Sequence, residues 1–126
     1  MDLVGTCPKT FWEEWIAEGD AAGDPPTGEE WHWYTRSRAA LLVSGEPDER
    51  FYVVAHGRLR GWAPITAFVR IARGGLFDAV APGYAIVRRG GAVACAVPFE
   101  ISGFRGLRKR WWDRSIEVPF PDWRTP

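Results

Sequence analysis

The chain has 126 residues, 46% of them hydrophobic and 25% charged, with sixteen bases against sixteen acids. That length fits one domain and the composition argues against disorder. A net charge of zero supplies no bulk attraction toward a polyanion.

The charges are unevenly distributed along the chain. Residues 1–50 hold eleven acids against four bases, a net of −7, and residues 51–126 hold twelve bases against five acids, a net of +7. This asymmetry predicts an acidic face and a basic face. Only Lys9 and Lys109 are lysines, and the other bases are arginines, a skew that a GC-rich genome also produces. Cys7 and Cys95 are too few and too far apart for a zinc site, and Cys95 sits in an apolar run as a small hydrophobe. The start shows no basic segment followed by an apolar one. No apolar run nears the roughly 20 residues that span a bilayer. The expectation is a cytoplasmic protein in a reducing setting, without membrane contact or cofactor; its oligomeric state is not legible.

In chain order, Thr10-Phe11-Trp12-Glu13 has capping-box spacing, and Phe11, Trp12, Trp15 and Ile16 recur on one face of a short helix that Gly19 closes. Residues 20–28, with Pro25-Pro26, form a loop. Glu29 to Arg38 alternates as a strand, with Trp31, Trp33 and Thr35 on one side and His32, Tyr34 and Arg36 on the other. The Trp pair suits a barrel core. Tyr34 beside Arg36 and Arg38 suits a wall against which a base can stack.

Ser44 to Asp48 is an acidic turn. Phe51 to Ala55 is a continuous apolar run, as in a strand buried on both faces, and His56-Gly57 is a tight turn. Arg58 to Ile71 continues as a long strand that Gly61 and Pro64 bend, Pro64 marking an edge or a bulge. Tyr84 to Arg89, Gly90-Gly91 and Ala92 to Val97 have the spacing of a two-residue hairpin. The proline-rich end, Glu117 to Pro126, reads as an extended tail anchored by Phe120 and Trp123.

Between these lies the stretch richest in chemistry, Ile101 to Arg114. It sets Arg105, Arg108, Lys109, Arg110 and Arg114 among Phe104, Trp111 and Trp112, with Asp113 as its only acid. Guanidiniums pair with phosphates and stack on rings, and indoles stack on bases. The same pattern also describes core tryptophans under a solvated arginine rim. One helix followed by about five or six mostly antiparallel strands predicts a small α+β, mainly β pseudo-barrel, with a short C-terminal helix or loop.

The order of parts resembles the PUA-like barrels, specifically the ASCH group. The residues that carry it are Gly45-Glu46, then Arg50-Phe51-Tyr52-Val53-Val54, then Gly57 and Gly61-Trp62-Ala63, within an order of elements covering residues 10–112. The resemblance implies a cleft that binds RNA, modified bases or nucleotides. Hydrolytic members resemble a Lys-Thr-Glu arrangement; here Gly28-Glu29-Glu30 has no lysine, so an activated lysine has no candidate.

The expected function is binding of RNA, single-stranded nucleic acid or a modified nucleotide by Tyr34, Arg36, Arg38, Trp62, Arg105, Arg108, Lys109, Arg110 and Trp111. Two alternatives stay open. One is a metal-independent enzyme acting on RNA or a nucleobase, with His56 as base beside Tyr34 and Arg36. The other is a structural or interaction protein with a tryptophan-rich surface. No phosphate-loop, zincin or nucleophile-elbow motif occurs.

Overall fold

A computed structural model of the chain describes residues 1–14, 30–74, 82–89 and 93–126. Eight strands lie in these residues: β1 (Leu3–Thr6), β2 (Glu30–Thr35), β3 (Arg50–Ala55), β4 (Arg58–Ile71), β5 (Gly83–Arg89), β6 (Val93–Ala96), β7 (Leu107–Lys109) and β8 (Val118–Pro119). They run in the order β2-β5-β4-β3-β1-β7, with β6 on β4 and β8 on β6. Every pairing is antiparallel except β1 with β3. The fold is α+β and mainly β, a curled half-barrel with 3-10 turns at Lys9–Phe11, Arg38–Leu42 and Arg114–Ile116 and helical backbone at residues 12–14.

The curl originates in β4. Its first half pairs with β3, from Arg58 opposite Ala55 to Pro64 opposite Arg50, and its second half pairs with β5, from Ile65 to Ile71. The register slips once in each half. Val53 faces Gly61 but Val54 faces Leu59, leaving Arg60 as the extra residue; Ile65 faces Arg88 but Ala67 faces Val87, leaving Thr66. Each bulge bends and twists its strand. Pro64, which has no N–H to donate, lies between them, so the proline marks a bulged bend in a central strand rather than an edge.

β3 is buried on both faces, as its unbroken apolar run requires. Phe51, Val53 and Ala55 belong to one core cluster with Leu3, Ile86, Leu107, Trp12 and Trp123; Tyr52 and Val54 belong to a second with Val4, Leu59, Cys95, Ile101 and Trp112. The curl carries β2 over β1. There Trp33 packs on Phe51 with ring centroids 4.7 Å apart, and a Cβ on Gly5 would stand 2.8 Å from the Trp33 indole. Gly5 therefore leaves the space that the indole fills.

Several expectations are met locally. Trp33 and Thr35 turn inward while His32 and Tyr34 are exposed. His56 and Gly57 both take positive φ, 51° and 75°, as a two-residue turn of the I′ kind needs. Trp123 is buried and Phe120 packs against the same cluster, although hydrogen bonds from Trp123 N to Phe120 O and from Thr125 N to Asp122 O fold the tail into turns.

Other expectations are corrected. β5 and β6 do not pair with each other: Ile65 opposite Arg88 is followed by Trp62 opposite Val93, so both strands run consecutively along the same β4. Gly-Gly spacing imitates a hairpin, but β4 is long enough to pair with both strands end to end; Gly90-Gly91 itself lies outside the described residues. At the N-terminus the 3-10 turn starts after Pro8, with no side-chain cap, so Thr10 sits inside it and the capping box is not made. Trp12 is buried and Phe11 exposed, while residues 15–19 of the expected helix fall outside the described chain. β1, β7 and β8, four residues or fewer each, are too short for alternation to register.

Replacing Gly5 with Ala forces the Trp33 ring off Phe51. Overpacking of this kind costs about 1–3 kcal/mol, and urea unfolding should report a lower midpoint with an unchanged slope.

Candidate functional site

The stretch from Ile101 to Arg114 divides between core and surface. Ile101, Leu107 and Trp112 are buried. Trp112 meets Tyr52 edge-on at 5.2 Å and its indole N–H donates to Glu117 at 2.9 Å. Trp111, 48% exposed, stands edge-on to Trp112 at 5.0 Å and to Phe104 at 6.2 Å. The Arg108 guanidinium lies 4.4 Å from the Phe104 ring centre. Arg108 pairs with Val4 and Lys109 with Leu3, so strand alternation sends these two cations to opposite faces of β7.

The connection after β2 meets β7 here. Ser37 N donates to Thr35 Oγ1 at 3.0 Å, and Ser37 Oγ accepts from Leu107 N at 3.3 Å. Gly106, at φ 69°, allows this approach: a Cβ there would lie 3.1 Å from Ser37 Oγ. Arg36 and Arg38 flank Ser37 in sequence, so the backbone that carries them meets the start of β7, which follows Arg105 and leads into Arg108 and Lys109. All five cations are exposed, and none has a carboxylate partner among the described residues. Next to this surface a cleft of about 350 Å³ is lined by Arg36, Arg70, Pro82, Gly83 and Tyr84. Tyr34, also exposed, stands against Gly83.

Two of the expected site residues are placed elsewhere. Trp62 is half-buried beside the second core cluster, with the Arg50 guanidinium 3.9 Å above its ring. Arg50 also donates to Glu117 Oε1 at 3.0 Å, and the Tyr52 hydroxyl donates to Glu117 Oε2 at 2.6 Å. This network ties the C-terminal segment to β3. Arg110 is committed to Asp2: its Nε donates to Oδ2 at 2.9 Å and its Nη1 to the Trp112 carbonyl. Trp33 is core, and the Trp31 side chain lies outside the described residues. His56 packs edge-on against Trp12 at 5.2 Å, at the end of β4 opposite to Arg70 and Arg36. Burial, and then the Arg60 and Lys9 charges, lower its pKa.

Asp2 is a polar centre that the sequence concealed. Arg114 grips it with Nε to Oδ2 at 2.9 Å and Nη2 to Oδ1 at 2.8 Å, while Arg50 N donates to Oδ1 at 3.0 Å. Burial alone would raise the Asp2 pKa; the Arg50 N–H and the two guanidiniums outweigh it and hold the carboxyl below its ordinary value. Glu49 is held low in the same way: burial opposes, but the N-terminal amine and the Ser44 and Gly45 amides prevail. Asp2, Glu49, Arg110 and Arg114 line a second cleft of about 410 Å³, where Asp2 is neutralised by two arginines from the last third of the chain and Glu49 by the N-terminal amine. Burial lifts both the Cys7 and Cys95 thiols to about 12, so both remain protonated at neutral pH.

Among the described residues no group of three or more His, Cys, Asp or Glu is placed to hold a metal ion, and no helix is long and apolar enough to cross a membrane. No family model, no curated protein and no solved structure matches the chain.

Asp2→Asn should cost about 1–3 kcal/mol, because it leaves two guanidiniums without their anion. The folded carboxyl titrates below the unfolded one, so its contribution is whole above the unfolded value of about 4 and is lost as pH falls below it. Denaturation from pH 7 to pH 3 should therefore show a shallower acid loss in the variant than in the parent, with Glu49 among the carboxyls that supply what remains.

Proposed function

We propose that this protein binds nucleic acid, single-stranded RNA in the first instance, on the surface around β7. The observation that carries this reading is that the segments joined by the Ser37–Leu107 hydrogen bond bring five exposed cations to β7 and its margins, Arg36, Arg38 and Arg105 beside the joint and Arg108 and Lys109 on the two faces of the strand, with no carboxylate partner among the described residues and with the half-exposed Trp111 close by in the chain. Arg50, Arg110 and Arg114 look different: each holds a carboxylate. Cations left unpaired together repel one another, and a polyanion relieves that repulsion while releasing its own counterions. Trp111 supplies a ring face for one base, and the Arg108–Phe104 pair supplies a second flat platform. The PUA-like and ASCH resemblance, which implies a pseudo-barrel with a cleft that binds RNA, modified bases or nucleotides, points the same way. The groups named bind and orient a strand, and the reading is of binding alone.

Fluorescence anisotropy with a labelled single-stranded RNA tests it. Affinity should fall linearly with salt on a log–log plot, and Arg105→Ala and Arg108→Ala should each reduce the slope by about 0.7. Trp111→Ala should weaken binding by about tenfold with the slope unchanged, since stacking on one base is worth about 1–3 kcal/mol. Arg58→Ala, in the cleft beside Phe99, is the control. Affinity indifferent to salt and to all three changes would overturn the proposal.

A further inference from the structure

The cleft beside Arg36 has features that the β7 surface lacks. Its two cations come from different strands: Arg36 directly follows β2, and Arg70 lies near the end of β4. The register sets Thr35 opposite Tyr84 and Tyr84 opposite Arg70, so the two arginines bracket the first turn of β5 from either side. β5 begins at Gly83, where a Cβ would stand 2.8 Å from the Thr35 carbonyl and 2.9 Å from the Tyr34 hydroxyl. The three strand ends therefore close tightly over backbone, and the wall there is glycine rather than a side chain. Tyr84, stacked on Phe68 at 5.6 Å, is held as a rigid side of the cleft. No carboxylate among the described residues lines the site, and neither arginine has an ion-pair partner there.

We infer that this cleft receives a phosphomonoester. Two arginines on the lining of one cleft match the two charges that a monoester carries near neutral pH, whereas an internal phosphodiester offers one. A volume of about 350 Å³ holds a phosphate with its sugar and falls at the small end of ligand sites, about 300–1,000 Å³. Arg36 borders both the cleft and the β7 surface, so the phosphate belongs to the terminus of a strand whose body lies along β7; in that respect the inference rests on the reading above. A free nucleoside monophosphate presents the same chemistry.

The decisive variant is Arg70→Gln, since Arg70 is exposed, takes no part in the β7 surface and has no ion pair among the described residues. Short RNA strands of one sequence carrying a 5′-phosphate, a 3′-phosphate or only hydroxyl ends are compared by anisotropy, and a nucleoside monophosphate is titrated by calorimetry. One phosphorylated end should bind about tenfold tighter than the hydroxyl-ended strand, the gain expected of one charge-assisted contact. Arg70→Gln should reduce that advantage to within about twofold while leaving the hydroxyl-ended strand within about twofold of the parent. If the free monophosphate binds and depends on Arg70 while no strand binds, the cleft stands and the β7 reading falls. If strands bind with dependence on Arg108 while no phosphate end or monophosphate gains anything from Arg70, the cleft inference is overturned and the β7 reading stands. Binding of neither strands nor monophosphate overturns both.

Discussion

The seam between Gly5, Trp33 and Phe51 is the contact on which the remaining architecture depends. A flat sheet in the order observed would keep β2 far from β1, with three strands between them. The two bulges of β4, at Arg60 and Thr66, turn the sheet enough for the Trp33 indole to reach across to Phe51 and fill the space above Gly5. That closure brings the end of β2 to the start of β7. Without it Ser37 could not accept from Leu107, and the arginines on either side of Ser37 would not meet those of the later stretch.

Arg60 shows how bend and core are coupled. As the bulge residue of β4 it is fully buried among apolar groups, an expensive place for a guanidinium. Its Nε donates to Ala55 O at 3.0 Å, its Nη1 donates to the Trp123 and Thr125 carbonyls, and it lies 4.8 Å from the Trp12 ring centre and 5.6 Å from that of Phe120. Burial lowers its pKa, and the nearby Arg58 charge adds to that. The cation is tolerated because carbonyl dipoles and ring faces take the place of water. The tail is held by the same bonds, so a strand irregularity in mid-chain fastens the C-terminus.

The arginines therefore separate by partner. Those that hold carboxylates, Arg50, Arg110 and Arg114, fasten the C-terminal segment to β3 and to the N-terminus. Arg36, Arg38, Arg105 and Arg108 about β7, Arg70 near the end of β4 and Arg58 at its start have no carboxylate partner among the described residues, and the buried Arg60 is held by carbonyls and rings instead. An arginine-rich composition cannot make this distinction, because it depends on which acid folding places within reach.

Read alone, the chain reveals its apolar β3, the His56-Gly57 turn, the bend in β4, the inward face of Trp33 and the Trp123 anchor, because each follows from a local rule of periodicity, turn backbone or side-chain size. It also singles out Arg36, Arg38, Arg105, Arg108 and Trp111 by residue type. It misses β1, β7 and β8, which are too short to show alternation, and it mistakes the Gly90-Gly91 spacing for a hairpin. Arg110 and Arg108 cannot be told apart by type; tertiary structure gives one of them Asp2, 108 positions away, and leaves the other over Phe104. Arg70 and Tyr84 join Arg36 only through a three-strand register. Local chemistry is written in neighbouring residues, whereas pairing across long separations depends on the path of the whole sheet, and here that path decides which cations remain available to a ligand.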